Sequence, residues 1–286
     1  MTNLITLDSN NFDAMASVMG MQTSTKENKN SLSRIRIVKK PIKGETSLKG
    51  RKTTIDVVPA GWYSIEDMNK NLLYAEKPII RPFLQRFMYQ KYDSNISNYV
   101  KTIMSDNINI DLKDTMGGFN CGKPSGYIED FNSLPDGTKE IIRQVKRTRV
   151  IFGEASFKDG VTESGENSSV ESVPFIWEID TKEGYKNIGQ LFTELTQLRR
   201  LPIQHNVTIY TEEREGSTGS YFVPNYTLNS KDSIAISDDD QNTFREFMST
   251  IDRHNTWVSS EWDKNHREPS SSGITDEFID IDAPSN

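Results

Sequence analysis

The amino-acid sequence predicts an α+β fold, a curled antiparallel β body with appended helices and disordered N- and C-terminal segments. Three observations predict it. Short runs of alternating apolar and polar residues recur along the chain, a strand–strand–helix–strand–strand order is legible between residues 149 and 228, and both ends are polar. The expected organisation is a disordered segment over residues 1–33, a folded domain over 34–265 and a disordered acidic tail over 266–286. With 34% hydrophobic residues among 286 and a net charge of −7, the chain can bury a core while part of it stays solvated.

Residues 1–33 are rich in Asn, Ser and Thr. Phe12, Met15, Val18 and Met19 stand there at helical spacing, which fits a frayed amphipathic turn or a docking peptide. From 34 to 38 bases alternate with apolar residues, so a strand turns Ile35 and Ile37 inward and Arg34 and Arg36 outward. Further short strands are predicted at 53–58, 61–65 and 72–75. Between 78 and 104 the period changes, and Ile80, Leu84, Phe87 and Met88 fall on one helical face, which predicts a helix whose start is limited by Pro82.

Residues 106–131 read as loop, broken by Gly117, Gly118, Gly122, Pro124 and Gly126, and a short helix is predicted over 138–146. Strands follow at 149–157 and 173–180, the second with Val173, Phe175, Trp177 and Ile179 on one face, separated by a polar loop over 158–172. The helix at 184–201 carries Ile188, Leu191, Phe192, Leu195 and Leu198 on one stripe, with Arg199 and Arg200 where cations suit the dipole. Strands at 204–212 and 220–228 flank a turn. A last helix is predicted after Ser237, with Asp238, Asp239 and Asp240 in its first turn and Phe244, Phe247, Met248, Ile251, Val258 and Trp262 along one side. A curled sheet with a helix between its strands is the habit of the OB-fold, so the body is expected to be OB-like.

Few catalytic chemistries find their residues. Cys121 is the single cysteine, which excludes an intramolecular disulfide and a cysteine-rich zinc site. Gly-Gly-Phe-Asn-Cys-Gly-Lys at 117–123 fills the first seven places of a phosphate-cradling loop, but Pro124 stands where a hydroxyl would hold magnesium. A structural glycine loop is the expectation, with a phosphate contact through Lys123 left open. Asp136, Asp180 and Lys182 have the residue types of a metal-dependent nuclease, yet Asp136 belongs to an ordinary Pro-Asp-Gly turn. His205, His254 and His266 show no spacing that ties them to Cys121. No enzymatic activity, cofactor or metal is expected. No stretch is long and apolar enough for a membrane span and no leader-like segment opens the chain, so a cytoplasmic protein without membrane contact is expected.

Charge is segregated instead. Residues 34–52 carry Arg34, Arg36, Lys39, Lys40, Lys43, Lys49, Arg51 and Lys52 against Glu45, and a second cluster holds Lys139, Arg143, Lys146, Arg147 and Arg149. Residues 268–286 carry Glu268, Asp276, Glu277, Asp280 and Asp282 with no base. Basic patches beside aromatic rings suit a single strand, whose phosphates follow the charge and whose bases stack. Here the chain resembles bacteriophage and bacterial single-stranded DNA-binding proteins, OB-fold bodies with acidic C-terminal tails, and its blocks at 121–128, 149–154 and 174–180 look like phage-encoded proteins of unassigned function. The resemblance implies sequence-tolerant binding of single-stranded DNA in phage replication or recombination, in the host cytoplasm. Arg34, Arg36, Lys39, Lys40, Arg143, Lys146, Arg147 and Arg149 are expected to neutralise phosphates, and Trp62, Tyr63 and Tyr74 to stack on bases. Asp276, Glu277, Phe278, Asp280 and Asp282 are expected to screen the groove and recruit replication proteins. The alternative is a non-enzymatic phage structural or host-interaction protein.

Overall fold

β-Branched and aromatic residues at alternate positions make residues 146–179 the spine of the molecule. The computed structural model describes residues 32–266 except 49, 50, 68, 127 and 218, and of residues 45–48 and 51–53 only the backbone. Its strands are β1 (Ser33–Arg34), β2 (Arg36–Ile37), β3 (Ile42–Leu48), β4 (Arg51–Val58), β5 (Tyr63–Glu66), β6 (Leu72–Ala75), β7 (Ile79–Asp93), β8 (Asn98–Lys101), β9 (Lys146–Thr162), β10 (Asn167–Ile179), β11 (Val207–Gly216) and β12 (Gly219–Leu228). Three α-helices stand among the described residues, α1 (Asp136–Gln144), α2 (Lys182–Gln197) and α3 (Asp238–Asn265). None of them is long and apolar enough to cross a membrane. The architecture is α+β and mostly antiparallel. The expectations for residues 1–31 and for the acidic tail from 267 onward lie outside the described residues.

β9 is paired on both edges. β10 runs along one of them, from Arg149↔Ile179 to Val161↔Asn167, and β7 followed by the short β6 shares the other. β11 adds to the start of β7 and carries β12 as a hairpin, while β8 folds back on the end of β7. The β1–β2 segment ties the sheet together, because β1 pairs with β10 in parallel and β2 pairs with β5. β3 and β4 form a separate two-stranded ribbon.

Alternation divides the side chains between two cores. Ile151, Ala155 and Phe157 of β9 join Phe175, Trp177 and Ile179 of β10 under the apolar stripe of α2, where Ile188, Leu191, Phe192 and Leu195 are buried. Val150 and Phe152 point the other way and meet Leu84, Met88 and Ile176 beneath Phe247 and Ile251 of α3. Each such side chain contributes about 1.5–3 kcal/mol on burial.

Several boundaries differ from those the sequence predicts. Residues 79–93 form a strand, not a helix, because a bulge between Pro82 and Leu84 shifts the two-residue period. After the bulge Leu84 and Met88 face α3 while Phe87 faces α2, so the apparent helical stripe mixes two sheet faces. Opposite the bulge, a Cβ on Gly153 would lie 2.3 Å from the Arg81 carbonyl oxygen, and only glycine allows that approach. Most of the polar loop expected over 158–172 continues the β9–β10 ladder, since Thr, Val and Ser pair well despite their polarity. Strand β3 has no counterpart among the predicted elements. The helices α1, α2 and α3 fall where expected, with ends moved by a few residues, and Leu198, Arg199 and Arg200 lie just beyond α2.

α3 is fastened by polar groups at its start. Ser237 and Asp240 form a reciprocal capping box, and Arg81 grips the Asp240 carboxylate through two nitrogens at 2.6 and 3.0 Å. Burial by itself would raise the Asp240 carboxyl, but the bonds from Arg81 and Ser237 outweigh it and hold the group below its ordinary value. A carboxyl depressed in the folded state stabilises above its unfolded pKa of about 3.9 and loses that contribution as pH falls through the folded value. We therefore expect Asp240→Asn to cost about 3–5 kcal/mol at pH 7. Relative to the parent, the variant's loss of stability should shrink below about pH 4, as followed by denaturant melts across pH.

Candidate nucleic-acid interface

Cations from separate stretches of the chain meet at one end of the sheet. Ile35 is buried, which turns Arg34 and Arg36 outward from β1 and β2. Parallel pairing sets Arg34 opposite Ile176 of β10, and the next residue on that face, Glu178, receives the Arg34 guanidinium at 3.0 Å. Lys101 of β8 reaches the same carboxylate at 3.5 Å, and Lys146 binds Asp180 at 2.6 Å. Arg36, Gln90 and Tyr99 complete the walls of an open cleft of about 380 Å³. Arg34, Arg36, Lys101 and Lys146 outnumber Glu178 and Asp180, so the cleft is net positive. Arg34 and Lys146 are each half exposed, and ion pairs of that kind contribute at most about 1 kcal/mol, which lets a phosphate compete for these two cations, while the Lys101–Glu178 pair is more enclosed. At its rim Tyr92 and Tyr99 stand edge to face, 5.4 Å apart and 53% and 46% exposed.

A second cleft opens on the opposite face. Arg147 follows Lys146 along β9 and so points the other way. It borders a hollow with Tyr89 and Lys123, whose ammonium lies 5.3 Å from the Tyr89 ring centre. Lys123 leaves the glycine-rich loop, and the loop's geometry explains its position. Asp114 accepts the N–H groups of Met116 at 2.9 Å, Gly118 at 3.0 Å and Cys121 at 3.0 Å. The amides that the sequence offers to a phosphate thus already hold an internal carboxylate. Asn120 and Cys121 take left-handed backbone to do so, with φ of 54° and 56°. Burial, with Asp114 adding to it, pushes the Cys121 thiol up to about 12, which favours its protonated form.

The residues singled out from the sequence divide. Arg34 and Arg36 line the first cleft, Lys146 reaches it only through its pair with Asp180, and Arg147 borders the second. Arg143 is exposed on α1 above the Phe131 ring, and Lys39 and Lys40 are exposed beyond β2. Trp62 is half-buried, its carbonyl taken by the Val38 N–H. Tyr63 and Tyr74 correct the expectation. Tyr63 is fully buried, donates to the Tyr210 carbonyl and packs edge to face on Trp177, and Tyr74 is 4% exposed, so neither ring is open to a base. Arg149 is corrected too. Only 8% exposed, it lies among Phe87, Tyr185 and Phe192 and bonds to the Tyr185 carbonyl and the Gln85 amide, clamping the sheet to α2. Asp136 and Asp180 are each engaged by a lysine other than Lys182, namely Lys139 and Lys146. Phe278 and the tail acids Asp276, Glu277, Asp280 and Asp282 lie outside the described residues.

Sequence reasoning missed Lys101 and the pairing of Tyr92 with Tyr99. Their signal is the symmetric placement of the two tyrosines around the polar turn at 94–97, which marks a hairpin. The helical reading of residues 78–104 hid it.

Arg149→Ala removes a desolvated cation from three rings, and about 2 kcal/mol of stability should go with it. In a thermal melt that is a drop of several degrees, whereas Arg36→Ala should leave the midpoint unchanged. Compared with protein-family models, curated proteins and solved structures, the chain matches none.

Proposed function

We propose that this protein binds single-stranded nucleic acid without catalysis, most simply single-stranded DNA during phage replication or recombination, across the cationic end of its sheet. One observation carries the reading: Arg34, Arg36 and Lys101 come from distant parts of the chain yet line one cleft beside two exposed tyrosines, with Lys146 bound to Asp180 of the same cleft and Arg147 next along β9 on the other face. Cations that track a backbone next to rings that accept any base are what sequence-tolerant capture requires. Lys146 and Arg147 face opposite sides of β9, so the row of charge passes over the end of the sheet from one cleft to the other.

The connectivity supports the same reading. β7, β9 and β10 form a meander, α2 follows, and the β11–β12 hairpin returns to pair with β7. This resembles the OB pattern, in which the face of the second and third strands and the loop between the first and second take oligonucleotides. Mapped here, that face is the outer side of β9 and β10, and the loop is the long connection that carries Lys101, Lys123 and Arg143. α3 covers much of the outer face, which confines the proposed strand to the uncovered end.

The acidic tail belongs to the proposal as a competitor. α3 ends against the turn after Asp114, where Asn265 donates to the Thr115 carbonyl and His266 meets that of Gly117. The Thr115 N–H in turn bonds to the Lys101 carbonyl, so the chain enters its acid-rich stretch close to the first cleft. An anionic segment tethered there would hold a high local concentration over the cations.

Two measurements test this. Affinity for oligo-dT should fall linearly with the logarithm of salt concentration, and each phosphate-contacting cation removed among Arg34, Arg36, Lys101 and Lys146 should lower the slope by about 0.7. A titration without salt dependence would sink the proposal. Deleting residues 268–286 should tighten oligo-dT binding, most at low salt, in a gel shift. Unchanged affinity would remove the tail from the mechanism.

A further inference from the structure

The hollow bordered by Tyr89, Asn120, residues 123–126 and Ile128 has features that strand capture in general does not require. Its volume of about 530 Å³ lies in the range of small-molecule sites, about 300–1,000 Å³. Ile108, Ile110 and Ile128 supply apolar wall, while Lys123 and Arg147 bring two positive charges and, among the described residues, no carboxylate lines it. Asp111, which follows Ile110, is occupied by the Ser125 hydroxyl and the Asn120 amide. Neither Lys123 nor Arg147 makes an ion pair among the described residues, in contrast to Arg34, Lys101 and Lys146 in the first cleft. Burial and then the charge of Arg147 hold the Lys123 ammonium below its ordinary value, an unfavourable state that a bound anion would relieve.

We infer that this hollow binds one nucleotide unit, its phosphate held between Lys123 and Arg147 and its base against the isoleucine wall. The backbone positions that carry the two cations are fixed. Asp114 anchors the loop that presents Lys123, and the β7–β9 ladder sets Arg147 opposite Tyr89. Tyr89 is itself immobilised by its hydroxyl bond to the Ile108 carbonyl at 3.3 Å. A preorganised pair of donors around a space with one apolar side selects a phosphate ester of a flat, partly apolar group over inorganic phosphate. The nucleotide has two sources, a free mononucleotide or one residue of a bound strand. The inference rests on the proposed function only for the second source.

Calorimetric titration with dTMP, thymidine, inorganic phosphate and oligo-dT separates the cases. For a free-nucleotide site, dTMP binds at least 10-fold more tightly than thymidine or inorganic phosphate, and Lys123→Gln or Arg147→Gln weakens it about 10-fold, as expected for one charge-assisted bond. Lys77→Gln, an exposed lysine in neither cleft, leaves dTMP binding unchanged. If the site serves a strand, the same two substitutions weaken oligo-dT about 10-fold while dTMP binding stays below detection. The inference is overturned if neither ligand responds to either substitution while circular dichroism shows both variants folded. Failure of oligo-dT binding alongside Lys123-dependent dTMP binding would instead remove the strand-binding function and keep this site.

Discussion

The pairing of β9 on both edges is the constraint on which the rest depends. A strand held between β10 on one side and β7 on the other cannot slip by one residue without turning every side chain to the wrong face. Its register therefore fixes which residues enter the α2 core, which meet α3, and which remain at the open end. Arg149, two residues before the buried Ile151, is carried inward, and Lys146 and Arg147 are left where the β10 ladder has run out. The proposed binding surface is thus the continuation of this element past the end of β10, where only its β7 edge is still paired.

Internal carboxylates do much of the positioning around that surface. Asp240 takes Arg81 and starts α3, Asp114 gathers three backbone amides and shapes the glycine loop, and Glu178 draws Arg34 and Lys101 together. These roles differ in burial and hence in strength. Asp240 and Asp114 are shielded from water and specify structure, whereas the Arg34 and Lys146 pairs at the open cleft are hydrated and exchangeable. An anionic ligand would displace the second kind and leave the first intact.

The two clefts divide two kinds of chemistry. In the Glu178 cleft cations are partly neutralised and exposed, which suits a polyanion that slides. Lys123 and Arg147 make no ion pair among the described residues, and Lys123 is partly desolvated beside apolar walls, which suits a single seated group.

By itself the sequence determined the α+β class, the α2 and α3 stripes, the Ser237 start of α3 and the outward direction of Arg34 and Arg36. Each of these follows from local periodicity or from a cap, interactions that span only a few residues. Tertiary structure decided that residues 79–93 are a strand, because the bulge at Pro82 depends on its partner Gly153, about seventy residues away in the chain. It also decided that Tyr63, Tyr74 and Arg149 are interior and that Lys101 and Tyr99 border the cleft. A basic or aromatic residue is compatible with either surroundings, and only the pairing of distant strands sets which one it meets.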